Sequence, residues 1–383
     1  MRRGKSCHAF SHRAGGSDAE KVRIEWLLAM ALSVALPVVG RTDDGRQAAS
    51  SRGCIMRGDL ADDEVVDLSN SGTTDADLAL ALQKSRRVRH LDLDGTRVTD
   101  AGLVHIGRLR ELDFLNLSDT AVTGSGLRHL RHLDALKCLL LIDTPVRNEA
   151  LAHLARLRRL EILLMYRTPT DDSGVAHIAK ISTLNVLGLE DTQVSDRCIN
   201  DLLSLKKLER LYLANTAISD DGVEKLGGVG SLQWVDLSGT KISNKSLAAL
   251  ARLKGLTYLA LDGVNVDRNG LKHLRSLNRL KVLSLRDVPM DDFASEFLVN
   301  LNQLEELYVS ETGIGDTTLS RCRGITTLRL LEANRTSITD DGLKHVAGSA
   351  ALRELWVAGT RVSKGGVAGL KKANPRLAIY SGY

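Results

Sequence analysis

The sequence predicts an α/β solenoid in which short parallel strands form one long sheet and short helices cover its other side. Three observations predict this fold. A pair of apolar residues, in most copies Leu-x-Leu, recurs every 24 residues from Leu91 to Leu355. A threonine follows most of these pairs at a fixed distance, and an apolar stripe with helical spacing follows the threonine. Self-similarity at such a period is the signature of a repeat architecture and takes precedence over local assignments.

We call the first residue of each apolar pair the key position. The key residue and the residue two further on point to the same side of a strand, because side chains alternate along a strand. Thirteen copies are present, with key residues Val66, Leu91, Leu115, Leu139, Leu163, Leu187, Leu211, Val235, Leu259, Leu283, Leu307, Leu331 and Leu355.

A threonine five residues after the key position can satisfy backbone groups with its hydroxyl where the chain leaves the strand. It occurs as Thr96, Thr120, Thr144, Thr168, Thr192, Thr216, Thr240, Thr312, Thr336 and Thr360. Four residues later an aspartate predicts the N-cap of a short helix. These aspartates are Asp100, Asp172, Asp196, Asp220, Asp292, Asp316 and Asp340.

The helices place an apolar stripe against the strands, because apolar residues follow the aspartate at distances of three and six, as Leu103 and Ile106 do. One copy cannot cover its own leucines, but stacked copies bury them at roughly 1.5–3 kcal/mol per side chain. Strands stack about 4.8 Å apart and helices about 10 Å apart. We therefore expect the array to bend, with the strands on the concave side and the helices on the convex side.

Departures from the repeat predict where it ends and where it is irregular. The first copy lacks the threonine and spans 25 residues, and the tail shifts its leucine to Leu377 before a last strand near Ile379, as capping repeats would. Val264 and Val288 replace the threonine in the ninth and tenth copies. In the tenth copy Ser295 stands where a leucine belongs, so its helix is expected to pack through Phe293 and Phe297.

The pattern L-x-x-L-x-L-x-x-T-x-V-T-D-x-G-L resembles leucine-rich repeat proteins over residues 65–383. It is similar to the cysteine-containing subfamily of F-box adaptors, with Thr where those carry Cys or Asn, and more similar to Thr-bearing arrays of planctomycete-type bacteria. The resemblance implies a horseshoe of about 13 repeats, with a parallel sheet on the concave face and short helices on the convex face. It also implies that the concave face recognises proteins.

The N-terminal region carries a different signal. Six Lys and Arg residues lie in residues 1–40, which end in an apolar run of fourteen residues from Trp26 to Val39. This run is shorter than the roughly 20 residues of a spanning helix but matches the apolar core of a secretory signal. Three possibilities remain open: the run belongs to a cleaved signal, it is an uncleaved anchor that inserts residues 23–40 into the membrane, or the protein is cytoplasmic. Residues 41–64 are polar and predict a linker.

Composition excludes several classes of function. Apolar residues make up 43% and charged residues 26% of the 383 residues, which is typical of a folded chain. The net charge of +5 is small, so we expect no nucleic-acid partner. The five cysteines are widely spaced and form no C-x-x-C motif, which argues against a disulfide framework or a zinc site. They are Cys7, Cys54, Cys138, Cys198 and Cys322.

The aromatic residues point to the concave face. Positions one before the key residue, and one, three and four after it, face away from the core and are free of its packing requirements. Seven of the nine aromatic residues between residues 41 and 377 occupy such positions, where solvent-facing rings can anchor a partner. The alternative is that these rings only stabilise an exposed sheet.

The candidate site lies on this concave face. Arg210, Trp234 and Tyr258 share one column on adjacent strands, which predicts stacking and a cation–π contact. The predicted partner-binding residues are Arg210, Tyr212, Trp234, Asp236, Tyr258, Asp262, Tyr308, Trp356, Phe114 and Tyr166. A second apolar patch comprises Phe114, Leu140, Ile142, Ile162, Leu164 and Tyr166. Acidic residues line the same face, at Asp92, Asp94, Asp119, Asp143, Glu190, Asp191, Asp287 and Glu311.

Metal and enzyme chemistry are not expected. The histidines fourteen residues after the key position would stack about 10 Å apart, too far for shared coordination. They are His105, His129, His153, His177, His273 and His345. No phosphate-binding loop, nucleophile elbow or H-E-x-x-H motif occurs, so we expect neither catalysis nor a cofactor.

The sequence therefore predicts an exported or membrane-tethered protein that binds another protein, or a glycan, on its concave face. The alternative is a substrate-recognition subunit of a ubiquitin ligase, as the F-box resemblance suggests. That role implies a helical module ahead of the repeats, whereas residues 41–64 are polar and glycine-rich.

Overall fold

The computed structural model describes residues 64–84 and 87–382. Within these residues, fourteen strands form one parallel sheet in which each strand pairs with the strands before and after it in sequence. The register is constant, because key residues pair with key residues, as Leu187 does with Leu211 and Leu211 with Val235. The predicted α/β solenoid is confirmed.

Each strand has three residues, and in all of them the key residue, or Ile379 in the last, is the middle one. The strands are β1 (Val65–Asp67), β2 (His90–Asp92), β3 (Phe114–Asn116), β4 (Cys138–Leu140), β5 (Ile162–Leu164), β6 (Val186–Gly188), β7 (Arg210–Tyr212), β8 (Trp234–Asp236), β9 (Tyr258–Ala260), β10 (Val282–Ser284), β11 (Glu306–Tyr308), β12 (Leu330–Glu332), β13 (Glu354–Trp356) and β14 (Ala378–Tyr380).

Short helices return the chain from one strand to the next. Most are α-helical, at Asp75–Lys84, Leu103–Ile106, Asp172–Ile178, Ile199–Leu202, Asp220–Leu226, Asn244–Leu250, Arg268–Leu271, Asp316–Cys322, Asp340–Val346 and Lys364–Ala373. Others are 3₁₀-helical, at Ser125–His132, Asn148–Arg156, Lys272–Ser276 and Ala294–Asn300. The tighter 3₁₀ turn suits such short connections.

The threonines have the predicted role. Each donates its hydroxyl to the carbonyl oxygen three residues earlier, as Thr216 Oγ1 does to Leu213 O at 2.6 Å. The same bond recurs at the other threonines of the set, with Thr96 and Thr360 near the two ends. The hydroxyl therefore closes the turn after the strand within its own copy.

The predicted N-cap role of the aspartates is wrong. Four helices begin at the aspartate itself, with the residue before it as the N-cap, and the helices after Asp100, Asp196 and Asp292 have Gly102, Cys198 and Phe293 as N-caps. Where a side chain caps these helices, it belongs to the residue before the aspartate, as Thr339 shows by accepting from the N–H of Asp341. The aspartate side chain instead points to the next copy. The Asp220 carboxylate accepts from Ser243 N at 2.8 Å and from Ser243 Oγ at 2.6 Å.

This bridge between copies recurs at all seven predicted N-cap residues: Asp100, Asp172, Asp196, Asp220, Asp292, Asp316 and Asp340. Each accepts from a serine or threonine hydroxyl 23 or 26 residues ahead. The aspartates thus hold adjacent copies together, and the column is a structural feature of the stack.

The apolar residues of the repeat form one continuous core from Leu78 to Leu377. Val264 and Val288, which replace the threonine, are buried in it. The expected packing of the tenth copy is half correct. Phe297 is buried, whereas Phe293 is 66% exposed, because it takes the outward position that Asp221 and other polar residues hold elsewhere.

Both ends of the described array differ from its interior. β1 is partly exposed, and the last strand forms around Ile379 with Leu377 buried, as predicted. No helix within residues 64–84 and 87–382 is long and apolar enough to cross a membrane. The signal or anchor expected at residues 1–40 and, apart from Glu64, the linker expected at 41–64 lie outside the described residues.

Candidate functional site

The concave face is defined here as the sheet surface formed by the side chains one residue before, and one and three residues after, each key residue. Leu91 and Leu93 belong to the core cluster, whereas the side chains at these alternate positions do not. All ten predicted partner-binding residues lie at such positions. Strand periodicity therefore placed them on the correct side of the sheet.

Their exposure differs from the prediction. Phe114, Tyr166, Tyr212 and Trp234 were expected to face solvent, yet all four are buried, Tyr212 to 1% exposure. Arg210 and Asp236 are buried as well, at 6% and 2% exposure. Mutual packing contributes to this burial, because Tyr166 packs edge-on against Tyr212 and Trp234 stacks on Tyr258.

The other predicted residues are half-buried, namely Tyr258, Asp262, Tyr308 and Trp356. The concave face therefore has two parts. The N-terminal part, from β2 to β8, is largely buried, and it contains the whole second patch (Phe114, Leu140, Ile142, Ile162, Leu164 and Tyr166). The C-terminal part, from β9 to β13, leaves its aromatic and charged side chains accessible.

The predicted column of Arg210, Trp234 and Tyr258 is confirmed. Their strands pair in register, the Trp234 and Tyr258 rings stack 3.6 Å apart, and the Arg210 guanidinium carbon lies 5.3 Å from the Trp234 ring centre. Tyr212 joins the column from the side, 6.1 Å from Trp234. Burial raises the pKa of Tyr212, so its phenol stays neutral at physiological pH.

The Trp234 ring also carries an unsatisfied donor. Its Nε1 is buried and donates to no acceptor within residues 64–84 and 87–382. A buried polar hydrogen without a partner costs roughly 1–3 kcal/mol of stability.

A polar cluster that the repeat pattern did not predict occupies the C-terminal part. Arg286 donates to both carboxylate oxygens of Glu332 at 2.8 Å each, and it lies 3.4 Å from Asp262. Its guanidinium carbon sits 4.3 Å from the centre of the Tyr308 ring. Ser284 and Ser310 complete the cluster by donating to Asp262 and Glu332.

The electrostatics of this cluster follow from its burial and its pairing. Burial alone would raise the pKa of Glu332, but the hydrogen bonds from Arg286 outweigh it and lower that pKa. Burial raises the pKa of Tyr308, and the hydrogen bond to Glu306 raises it further. The cluster is therefore a fixed ion pair flanked by a neutral phenol. Opposite charges at equivalent positions of adjacent copies, Asp262 and Arg286, were the signal that could have revealed it.

At the other end of the face, His90 and Phe114 stack with ring centres 4.1 Å apart. Burial raises the pKa of the nearby Asp92 to about 6, although a backbone hydrogen bond from Asp94 opposes the shift. Asp92 is thus an acid that titrates close to neutrality.

The position four residues after the key residue was predicted to be free of structural requirements, and this prediction is wrong. The backbone there has positive φ in all thirteen copies, from Asn70 to Gly359. This conformation favours Gly, Asn and Asp, which accounts for several of the predicted acidic residues. Those at this position are Asp119, Asp143, Asp191, Asp287 and Glu311. They shape the turn, and two of them pair with the next copy, Asp143 with Arg167 and Glu311 with Arg335.

Within the described residues, no group of three or more His, Cys, Asp or Glu side chains could hold a metal ion. Cys138, Cys198 and Cys322 are buried and form no disulfide within the described residues, and burial raises the pKa of Cys198 and Cys322. These cysteines belong to the packing of the repeats.

Comparisons with known proteins agree with this architecture. Residues 204–227 match the family model described as leucine rich repeat. An internalin from Listeria monocytogenes shares the fold, at 16% identity and a TM-score of 0.54 over 83% of this chain and 86% of that one. An internalin C2 from the same organism has 25% identity and a TM-score of 0.45, covering 62% of this chain and 92% of its own.

A leucine-rich-repeat protein of Leptospira interrogans is 15% identical, with a TM-score of 0.48 over 82% of this chain and 89% of its own. No curated protein matches the chain. The fold is thus a leucine-rich-repeat solenoid, an architecture typical of protein–protein interaction modules and generally a non-enzymatic binding scaffold.

Proposed function

We propose that this leucine-rich-repeat solenoid is a non-enzymatic recognition protein that binds another protein through its concave face. One observation carries the proposal. The face concentrates aromatic and charged side chains at positions that lie outside both the apolar core and the aspartate bridges that hold the copies together. Aromatic and arginine side chains dominate the binding energy of protein interfaces.

The accessible C-terminal part is the proposed contact surface. Tyr308 and Trp356 are half-buried, and Trp356 stacks on Tyr380 at 3.8 Å between ring centres. Such rings are held in place before binding, which lowers the entropic cost of ordering them. Four carboxylates, those of Asp262, Glu306, Glu332 and Glu354, share this part of the face with one guanidinium, that of Arg286, and this excess of negative charge favours a partner segment with basic side chains.

The test is the affinity of the native partner for two variants. The double variant Tyr308→Ala with Trp356→Ala should bind about 30-fold more weakly, corresponding to loss of a hot spot worth about 2 kcal/mol. Phe293→Ala is the matched control, since Phe293 is an exposed aromatic residue outside the concave face. Equal affinity of the double variant and the wild type would refute the assignment of the surface, and binding of a glycan instead of a protein would refute the class of partner.

We further propose that the protein is exported or held at a membrane by residues 1–40. The support is the basic leader and the apolar run from Trp26 to Val39. N-terminal sequencing of the native protein tests it, because a cleaved signal gives a new terminus near residue 40. Export would also argue against the alternative of a ubiquitin-ligase subunit, which copurification with a ligase scaffold would support.

A further inference from the structure

A basic cavity lies on the helical side of the array, away from the concave face. It has a volume of about 380 Å³ and opens between helix Leu103–Ile106 and the 3₁₀ helix Ser125–His132. Its lining contains Val104, Gly107 and five basic side chains, which are Arg108, Arg128, His129, Arg131 and His132. No carboxylate lines it, so its electrostatic potential is positive.

Close packing of two copies shapes the cavity. A Cβ atom at Gly107 would lie 2.4 Å from the carbonyl oxygen of His129, so the backbones could not approach this closely with any other residue at 107. Arg131 Nε donates to His132 Nε2 at 2.9 Å, which leaves the proton of a neutral His132 on Nδ1. Within the described residues, Arg108, Arg128 and Arg131 form no ion pair with a carboxylate.

The repeat offers an internal comparison. Between helices Asp220–Leu226 and Asn244–Leu250, the equivalent groove is neutralised, because Arg252 pairs with Glu224 at 2.9 Å. Val104 takes the position of Glu224 in the basic cavity, thirteen residues after the key residue. Basic residues recur at some of these positions in other copies, as His129 does in the repeated histidine column and Arg108 at a position that is Arg156 and Lys180 further along. What distinguishes the basic cavity from the groove at Arg252 is the absence of the acid, since Val104 stands where Glu224 neutralises the other groove.

We propose that the basic cavity binds a phosphate or sulfate ester group of a small polyanion. Guanidinium groups donate two parallel hydrogen bonds to such oxyanions, and a cleft lined by one sign of charge concentrates ligands of the opposite sign. The volume lies near the lower end of the range of small-molecule sites. The site is separate from the proposed protein-binding surface.

Calorimetric titration of the full chain tests this, with inorganic pyrophosphate and sucrose octasulfate as probes at about 0.15 M salt. Binding should fall at least tenfold in the double variant Arg108→Ala with Arg128→Ala. It should also fall in Val104→Glu, which restores the neutralising acid without removing an arginine. Arg252→Ala, an arginine of equivalent exposure whose charge is already paired, should bind within twofold of the wild type.

Preference for pyrophosphate or for octasulfate would identify the ester class, and either result supports the site. The proposal is overturned if neither probe binds the wild type, if the double variant binds as well as the wild type, or if Arg252→Ala loses as much affinity. All substituted arginines are exposed, so thermal unfolding of each variant should match the wild type and exclude a folding defect.

Discussion

Removing one aspartate bridge should weaken the contact between two copies. Asp220 receives hydrogen bonds from Ser243 N, Ser243 Oγ and Ser246 Oγ, all in the next copy. Hydrogen bonds to a charged group contribute about 1.5–3 kcal/mol each when buried. Because Asp220 is partly exposed, water replaces part of the hydrogen-bonding energy in the variant. We expect Asp220→Ala to lower the free energy of unfolding by about 2–4 kcal/mol.

Urea unfolding followed by circular dichroism measures the effect. Asp221→Ala is the control, because Asp221 is the next residue of the same helix, is exposed and forms no bridge to the following copy. It should change the free energy of unfolding by less than about 0.5 kcal/mol. Burial would raise the pKa of Asp220, but the hydrogen bonds from the serines outweigh it and lower the pKa. The bridge should therefore stabilise the folded protein above pH 3.8 and lose this effect in stronger acid. Equal destabilisation by the two variants would refute the bridging role.

Two further predictions concern charges on the concave face. The folded pKa of Asp92, about 6, lies above its ordinary value of 3.8, so stability should fall as pH rises between these values. Asp92→Asn should therefore raise the free energy of unfolding by up to about 3 kcal/mol at pH 8 and leave it unchanged near pH 3.5. A difference between variant and wild type that stays constant from pH 3.5 to pH 8 would contradict the raised pKa of Asp92. Arg286→Ala should lower the free energy of unfolding by about 1–3 kcal/mol, because it leaves Glu332 partly buried and unpaired. Arg335→Ala, which removes an exposed ion pair, should lower it by less than about 1 kcal/mol, and thermal denaturation of the two variants measures the difference.

The sequence predicted the fold well because its signals are periodic. A 24-residue interval fixes which side chains share a column, so the register of Leu187 with Leu211 and the stacking of Trp234 on Tyr258 followed from counting. What counting does not give is the direction of a flexible polar side chain. Asp220 could cap its own helix or reach the next copy, and the choice depends on the position of Ser243 in three dimensions.

Exposure was the other quantity that the sequence could not supply. Alternation places Tyr212 and Trp234 on the concave side, but burial depends on the neighbouring side chains and on how closely they converge. The Arg286 cluster was not predicted for a related reason. Its two carboxylates come from the copies on either side of β10 and β11, and Glu332 lies 46 residues from Arg286 in the sequence.

The most direct test of the recognition role is site-specific photo-crosslinking in the native cell. A photo-reactive aromatic residue placed at Tyr308 or Tyr258 reports on the concave face, and the same residue at Phe293 reports on an exposed site outside it. We expect covalent adducts with one defined protein from both concave positions and none with that protein from Phe293. Adducts with the partner from Phe293 alone would contradict this expectation.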